Sequence, residues 1–223
     1  MPEIVTREQW LEARQRLLTR EKELTRRRDA LSAERRRLPM VAVTKNYVFD
    51  GPQGPVTLAG LFGGRRQLVI QHIMFGPDWE TPCPVCTNFL NTLSAAVLTR
   101  LQDRQTTYAL VSRAPLARLD ACQAANGWSL PWYSSHGSDF NYDFQVTLDR
   151  AAGQLTYNYR PEPGLLGDAP ATEMPGASCF LREGEAIFHT YSAYARGLDH
   201  IDLPYAFLGL TALGRQEPWE EQP

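Results

Sequence analysis

Lysine is nearly missing from this chain: Lys22 and Lys45 are its only lysines among 23 basic residues. A GC-rich coding bias is enough to explain that. Long apolar runs are missing too, since none approaches the ~18 residues needed to cross a bilayer. The opening MPEIVTREQW has no basic segment followed by a hydrophobic one, so a cytoplasmic location is expected. An excess of one charge sign is also absent. With 25 acidic and 23 basic residues the net charge is −2, which gives no electrostatic case for nucleic acid or a membrane surface. Cysteine is sparse: four in 223 residues cannot be the disulfide framework of a small secreted domain. What remains is a chain long and apolar enough to bury one substantial core, with room for an appendage.

The appendage comes first. TREQWLEARQRLLTREKELTRRRDALSAERRRLP reads as one long helix: Thr6 and Gln9 have capping-box spacing, Val5 and Trp10 can staple its start, and Pro39 marks its end. Trp10, Leu17, Leu24, Leu31 and Leu38 recur every seven residues, but the second seam position holds Ala13, Arg20, Arg27 and Glu34. The apolar stripe is narrow, on a helix of roughly 45 to 50 Å. It can pack on its own domain or on a twin chain, and we expect a homodimer through this helix. Arg26 to Arg28 and Arg35 to Arg37 are interleaved with Glu21, Glu23, Asp29 and Glu34, a solvated face rather than a nucleic-acid patch.

From Val41 the pattern turns to strands. VAVTKNYVFDGPQGPVTL predicts a hairpin, and RRQLVIQHIMF a central strand covered on both faces. Cys86, Leu90, Leu93, Val97 and Leu101 fall on one face of a predicted helix. TTYALVS then leads as a strand into RAPLARLDACQAANG, with proline at its start and glycine past its end. WSLPWYSS predicts a short strand, HGSDFNYDFQV a turn or short helix, and residues 160–176 a long surface loop. A hairpin turning near Glu183 and Gly184 and a helix kinked at Pro204 complete the chain. Alternating strands and helices ending in a hairpin indicate an α/β domain with a mixed sheet.

The chemistry centres on WETPCPVCTNFL. If a helix opens at the pair, Pro84 takes its first position and Cys83 its N-cap, facing free backbone N–H groups and the positive end of the helix dipole. Both favour the thiolate, the reactive form. Cys86, nearly one turn on and facing inward, is shielded yet within reach of Cys83, so the pair supplies a nucleophile and a resolving thiol. A structural zinc would need two further ligands; Cys122 and Cys179 are single, no His cluster completes the set, and no metal is expected. Thr87 stands where covalent haem attachment would need His. Two small residues at a helix start is the bland alternative. Cys122 and Cys179 read as buried and inert.

The order of strand, CPVC and downstream hairpin resembles the thioredoxin-like superfamily. More narrowly, YVFDGPQGPVTLAGLF, FGPDW, SSHGSDFNYDF and HTYSAYARGLD resemble the bacterial family catalogued as domain of unknown function 899. The resemblance implies a thioredoxin-like α/β fold, a mixed central sheet flanked by helices. The divisions expected are a helical arm over 1–39, the domain over 40–215 and a flexible tail over 216–223. It implies thiol–disulfide exchange without a cofactor, on a protein or small-molecule thiol or disulfide. Cys83 and Cys86 are then catalytic, with Trp79, Pro84, Met174 and Pro175 facing the substrate. Pro175 matches the superfamily's cis proline, a role that requires a cis Met174–Pro175 bond, and the Met174 backbone would pair with an extended substrate segment. For the proton acceptor, Gln71 and His72 lie nearest on the strand. His72 serves only if it faces the pair and is otherwise a satisfied core histidine, and Asp78 and Glu80 are loop alternatives. A rival from another class is an interaction module using the arm and SDFNYDF, where Phe140, Tyr142 and Phe144 alternate. A thiol peroxidase is the enzyme rival, but Glu80 stands where peroxiredoxins have threonine, three residues before the reactive cysteine.

Overall fold

The computed structural model describes residues 3–208, 210, 211, 217 and 218. The expected tail over 216–223 lies outside the described residues apart from Glu217 and Pro218. The chain divides into two compact units, one of residues 40–202 and one of the two ends.

In the unit of the two ends, α1 (Arg7–Arg35) starts as its capping box dictates: Gln9 N–H donates to Thr6 Oγ1 at 3.3 Å, and Thr6 N–H donates to Gln9 Oε1 at 3.0 Å. It stops short of Pro39. The N–H groups of Arg37 and Leu38 turn to the carbonyls three residues back, tightening the chain ahead of the proline. No residue of α1 is buried, and the seam residues Trp10, Leu17, Leu24 and Leu31 are each about half exposed.

The larger unit begins with β1 (Val41–Ala42), the hairpin β2 (Val48–Gly51) and β3 (Gly54–Thr57), and the single turn α2 (Leu58–Leu61). Next come β4 (Gln67–His72), α3 (Pro84–Thr92), α4 (Ala95–Gln102), β5 (Thr106–Ser112), α5 (Leu116–Asn126) and β6 (Trp132–Ser134). The remainder holds α6 (Phe140–Asp143), β7 (Thr147–Asp149), β8 (Thr156–Tyr157), β9 (Arg160–Pro161), β10 (Ala171–Glu173), β11 (Gly176–Glu183) and β12 (Ala186–Tyr194). Beyond it, α7 (Leu203–Leu208) groups with the terminal unit. Pro204 lies in its first turn, where the missing N–H costs nothing, so the proline begins a helix instead of kinking one.

Eight strands form one sheet in the order β1-β12-β11-β4-β5-β6-β2-β3. β4, β5 and β6 run parallel; β11 and β12 are antiparallel to each other, and β11 to β4. A βαβ unit flanked by an antiparallel hairpin, in the order β12-β11-β4-β5, is the thioredoxin-like arrangement.

The sheet separates two cores, and strand alternation decides which residue goes where. Leu68, Ile70, Val111 and Phe180 pack on one face with Phe49, Phe62, Phe140 and Phe144. Ile73, Leu110 and Trp132 pack on the other with Leu90 of α3, Leu119 of α5 and Cys86. Each fully buried Phe or Leu contributes roughly 1.5–3 kcal/mol by burial.

Two sequence expectations fail for local reasons. The predicted single helix through Leu101 breaks at Leu93, which is extended, because Ser94 Oγ accepts the Val97 N–H and caps a new helix, α4. Residues 160–176 are not merely a surface loop. β10 pairs with β7, and Leu166 and Glu173 are buried.

Candidate functional site

Cys83 is the N-cap of α3 and Pro84 occupies its first turn, as the sequence requires. The turn is tied to the strand behind it by Cys83 N–H donating to the Met74 carbonyl at 2.9 Å. The Cys83 carbonyl accepts from Thr87 twice, from N–H at 2.9 Å and Oγ1 at 3.2 Å. Both cysteines are free thiols, Cys83 half-buried and Cys86 buried. Residues three apart in a first helical turn have Cβ atoms about 5–6 Å apart, close enough for modest adjustment to close a disulfide.

The two thiols differ sharply. Cys83 is lowered to about 5, first by the hydrogen bond from the Cys86 thiol and then, against the opposing effect of burial, by the Cys86 and Val85 backbone N–H groups. These amides face Sγ without closing a cap hydrogen bond of regular geometry. Cys86 is pushed up, chiefly by giving its proton to the Cys83 hydrogen bond and then by burial. One thiol is therefore poised as thiolate and its neighbour as the proton-bearing donor.

Trp79 packs in the same cluster as Cys83, Cys86, Met74 and Phe89. Its N–H donates to the Gly76 carbonyl at 3.2 Å, and the Arg118 guanidinium of α5 donates to its own carbonyl. Gly76 is required here, because a Cβ at that position would lie 2.8 Å from the indole Nε1. Pro84, Asp78 and Glu80 are all exposed.

The other expected residues lie elsewhere. His72 sits on the sheet face opposite the cysteines, stacked against Phe140 at 5.6 Å, and its Nε2 bonds Ser178 Oγ at 3.0 Å. Burial first, and the nearby His189 second, lower it to about 3, so it is a neutral core histidine. Gln71, by strand alternation, shares the cysteine face, and its Oε1 is buried without a partner.

The Met174–Pro175 bond is trans, which removes the basis on which Pro175 was matched to the superfamily's cis proline. The Met174 N–H is already taken: it donates to the Val146 carbonyl at 2.8 Å, continuing the β7–β10 ladder. Met174 packs in a third cluster, with Val146, Leu148, Tyr157, Leu166 and Tyr194.

Sequence reasoning missed Tyr157. Its hydroxyl donates to the Pro175 carbonyl at 2.8 Å and accepts the Ala195 N–H at 2.8 Å. Its pKa is pushed up to about 12 by burial, with a smaller contribution from Cys86. A two-residue strand carries no periodicity that would have singled it out. Glu173, also missed, is 3% exposed and satisfied by Arg113 at 3.1 Å, Asn141 at 3.2 Å and Thr147 at 2.8 Å. Among the described residues no three His, Cys, Asp or Glu side chains gather as a metal site, and no helix is long and apolar enough to cross a membrane.

Solved structures similar to this chain include a cysteine-to-serine mutant of Xylella fastidiosa peroxiredoxin Q, at 13% identity and TM-score 0.47, covering 73% of this chain and 91% of that one. A cysteine-to-serine mutant of Xanthomonas campestris peroxiredoxin Q aligns at 18% identity and TM-score 0.45, covering 75% and 96%. A protein from Bacteroides thetaiotaomicron described as a putative protein disulfide isomerase aligns at 16% identity and TM-score 0.40, covering 75% and 90%. No curated protein matches. The family model described as bacterial protein of unknown function, DUF899, matches residues 1–222, and the chain belongs to that family.

Proposed function

We propose that the protein is a dithiol–disulfide oxidoreductase in which Cys83 is the nucleophile and Cys86 the resolving thiol. The observation that carries this reading is the asymmetric pair in the first turn of α3: a half-buried Cys83 beside a buried Cys86 that hydrogen-bonds to it. The Cys83 thiolate attacks one sulfur of a substrate disulfide, forming a mixed disulfide and releasing the other sulfur as thiolate. Cys86 gives up its proton to solvent and attacks the Cys83 sulfur. The Cys83–Cys86 disulfide forms, the second substrate thiolate leaves, and two electrons have passed to the substrate. An external thiol reductant restores the dithiol. Trp79 supplies an apolar wall beside Cys83, and Pro84 with the exposed Val85 forms the approach. The reaction needs no metal or organic cofactor.

The test is to equilibrate the protein in graded glutathione buffers, alkylate free thiols and weigh the products. A reversible two-electron transition between about −270 and about −120 mV that disappears in Cys83→Ser is expected. Failure to form the disulfide at any poise refutes the reading. Saturable, Cys83-dependent consumption of peroxide faster than disulfide exchange would replace it with a peroxidase.

A further inference from the structure

On the opposite side of the sheet from the dithiol the larger unit holds a cavity of about 340 Å³, whose lining includes Lys45, Tyr47, Phe144, Tyr159, His189 and Tyr194. Its placement follows from strand alternation: Phe144 belongs to the core opposite that of Cys86, and His189 packs on Phe144 and Phe180 of that same core. We propose that this cavity is a binding site for a neutral planar aromatic molecule of one or two rings.

The tyrosine hydroxyls are already committed to the protein. Tyr47 donates to Asp143 at 2.7 Å, Tyr159 to the Ser192 carbonyl at 3.0 Å and Tyr194 to the Phe144 carbonyl at 2.9 Å. Those bonds fix the rings: Tyr47, Phe144 and Tyr194 are buried as the floor, and Tyr159, 63% exposed, presents the open ring. The rings are mutually braced, with Tyr159 edge-on to Tyr194 at 5.3 Å and Phe144 edge-on to His189 at 5.2 Å. His189 is held as well. Its Nε2 bonds Ser192 Oγ at 2.8 Å, Ser192 bonds Ser178 at 2.9 Å, and Ser178 bonds the buried His72 at 3.0 Å.

The charges on the lining cancel. Lys45 Nζ lies 2.7 Å from Asp143, and 2.7 Å from Asp139 just beyond the lining. Burial lowers the pKa of His189, which keeps its imidazole neutral. Lys45 and Asp143 already neutralise each other, so a charged ligand gains a partner only by breaking that pair, whereas a neutral ring leaves it intact. The Gln145 side-chain NH2 and the Thr44 hydroxyl remain to bond a polar edge.

The backbone of the lining is set by local turns. Asn158 at φ 51° and Tyr159 at 66° are the two-residue turn joining β8 to β9, which needs a left-handed backbone at both positions, and Gln145 at 56° is the left-handed residue that follows α6. Gln145 Oε1 accepts the Tyr159 N–H at 3.1 Å, which ties the two turns together.

Calorimetric titration of the intact protein with indole, tryptamine and indole-3-acetate compares a neutral, a cationic and an anionic ligand on one ring system. Saturable one-to-one binding of indole, tighter than either charged analogue, is expected. Tyr159→Gly removes one ring face and accepts the left-handed φ, and should weaken indole about tenfold. Val41→Trp, at a rim position 65% exposed, should fill the cavity and abolish binding even if the first variant misfolds. Cys83→Ser should bind as the native protein does, separating this site from the dithiol. No saturable heat with indole, a charged analogue binding more tightly, or unchanged binding in Val41→Trp would overturn the proposal.

Discussion

The state of Cys83 makes a quantitative prediction that differs in shape from that of an ordinary thiol. With its pKa lowered to about 5, Cys83 is about 99 per cent thiolate at pH 7, against about 3 per cent for a thiol at the reference value of 8.5. A less basic thiolate is also a poorer nucleophile. With a Brønsted coefficient near 0.45, a drop of about 3.5 in pKa reduces intrinsic reactivity about fortyfold. The two effects nearly cancel at pH 7. Their balance reverses on either side: at pH 5.5 Cys83 should alkylate about twentyfold faster than an ordinary thiol, and at pH 8.5 about twentyfold slower. Iodoacetamide labelling of the reduced protein from pH 4 to 9 measures this, with Cys83 resolved from Cys86 by peptide fragmentation and the urea-unfolded chain as reference. The folded protein should give a rate that rises through a midpoint near 5 and is flat from pH 6 to 8. A rate climbing about tenfold per pH unit between 6 and 8 would refute the assignment of Cys83 as the poised thiolate. Since the Cys86 hydrogen bond is the largest cause of the shift, Cys86→Ala should move the midpoint upward.

Cys86→Ala should also accumulate mixed disulfides with Cys83, seen by intact mass, because the second displacement has lost its thiol. His72→Gln should leave the Cys83 alkylation midpoint unchanged, since the sheet lies between them. It should also shift acid unfolding: native His72 resists protonation down to about 3, so stability falls as pH drops from about 6.5, and the variant should lose less over that range in urea melts. Arg113→Ala strands the buried Glu173 carboxylate and should cost roughly 3–5 kcal/mol in the same melts, with little loss refuting the buried pair as a structural brace. Leu24→Glu on α1 should convert a dimer to a monomer in sedimentation equilibrium, and an unchanged mass would remove the proposal that this helix pairs two copies.

The two ends of α5 and the start of α1 were legible because their signals are local: Pro115 precedes α5, Gly127 follows it at φ 66°, and Thr6 with Gln9 closes its box. Cys83 and Pro84 at the head of α3 were readable for the same reason. What failed needed the third dimension. His72 and Gln71 are neighbours in sequence, and only the register of β4 against β5 and β11 decides which one shares a face with the cysteines. The apolar spacing from Cys86 to Leu101 matched one helix, yet Ser94 offered its hydroxyl to a backbone amide and restarted the count. Met174 failed by competition, because the Val146 carbonyl beside β7 took the N–H that the expected substrate would have used. The aromatic cavity was invisible in the sequence, its walls coming from segments 41–47, 143–145, 159 and 189–194.

The break at Leu93 has a mechanical meaning for the dithiol. α3 is nine residues long, too short to persist in water by itself, so its order is supplied by Leu90 and Phe89 resting on the sheet. A continuous helix to Gln102 would tie any opening of the cysteine turn to the release of α4. As built, the segment carrying Cys83 and Cys86 can unwind as a unit of its own, at a smaller cost than opening the whole fold. Cys86 can therefore leave its shielded position and close on the Cys83 sulfur through a local event, and hydrogen exchange across 84–92 should run ahead of exchange in β4 and β5.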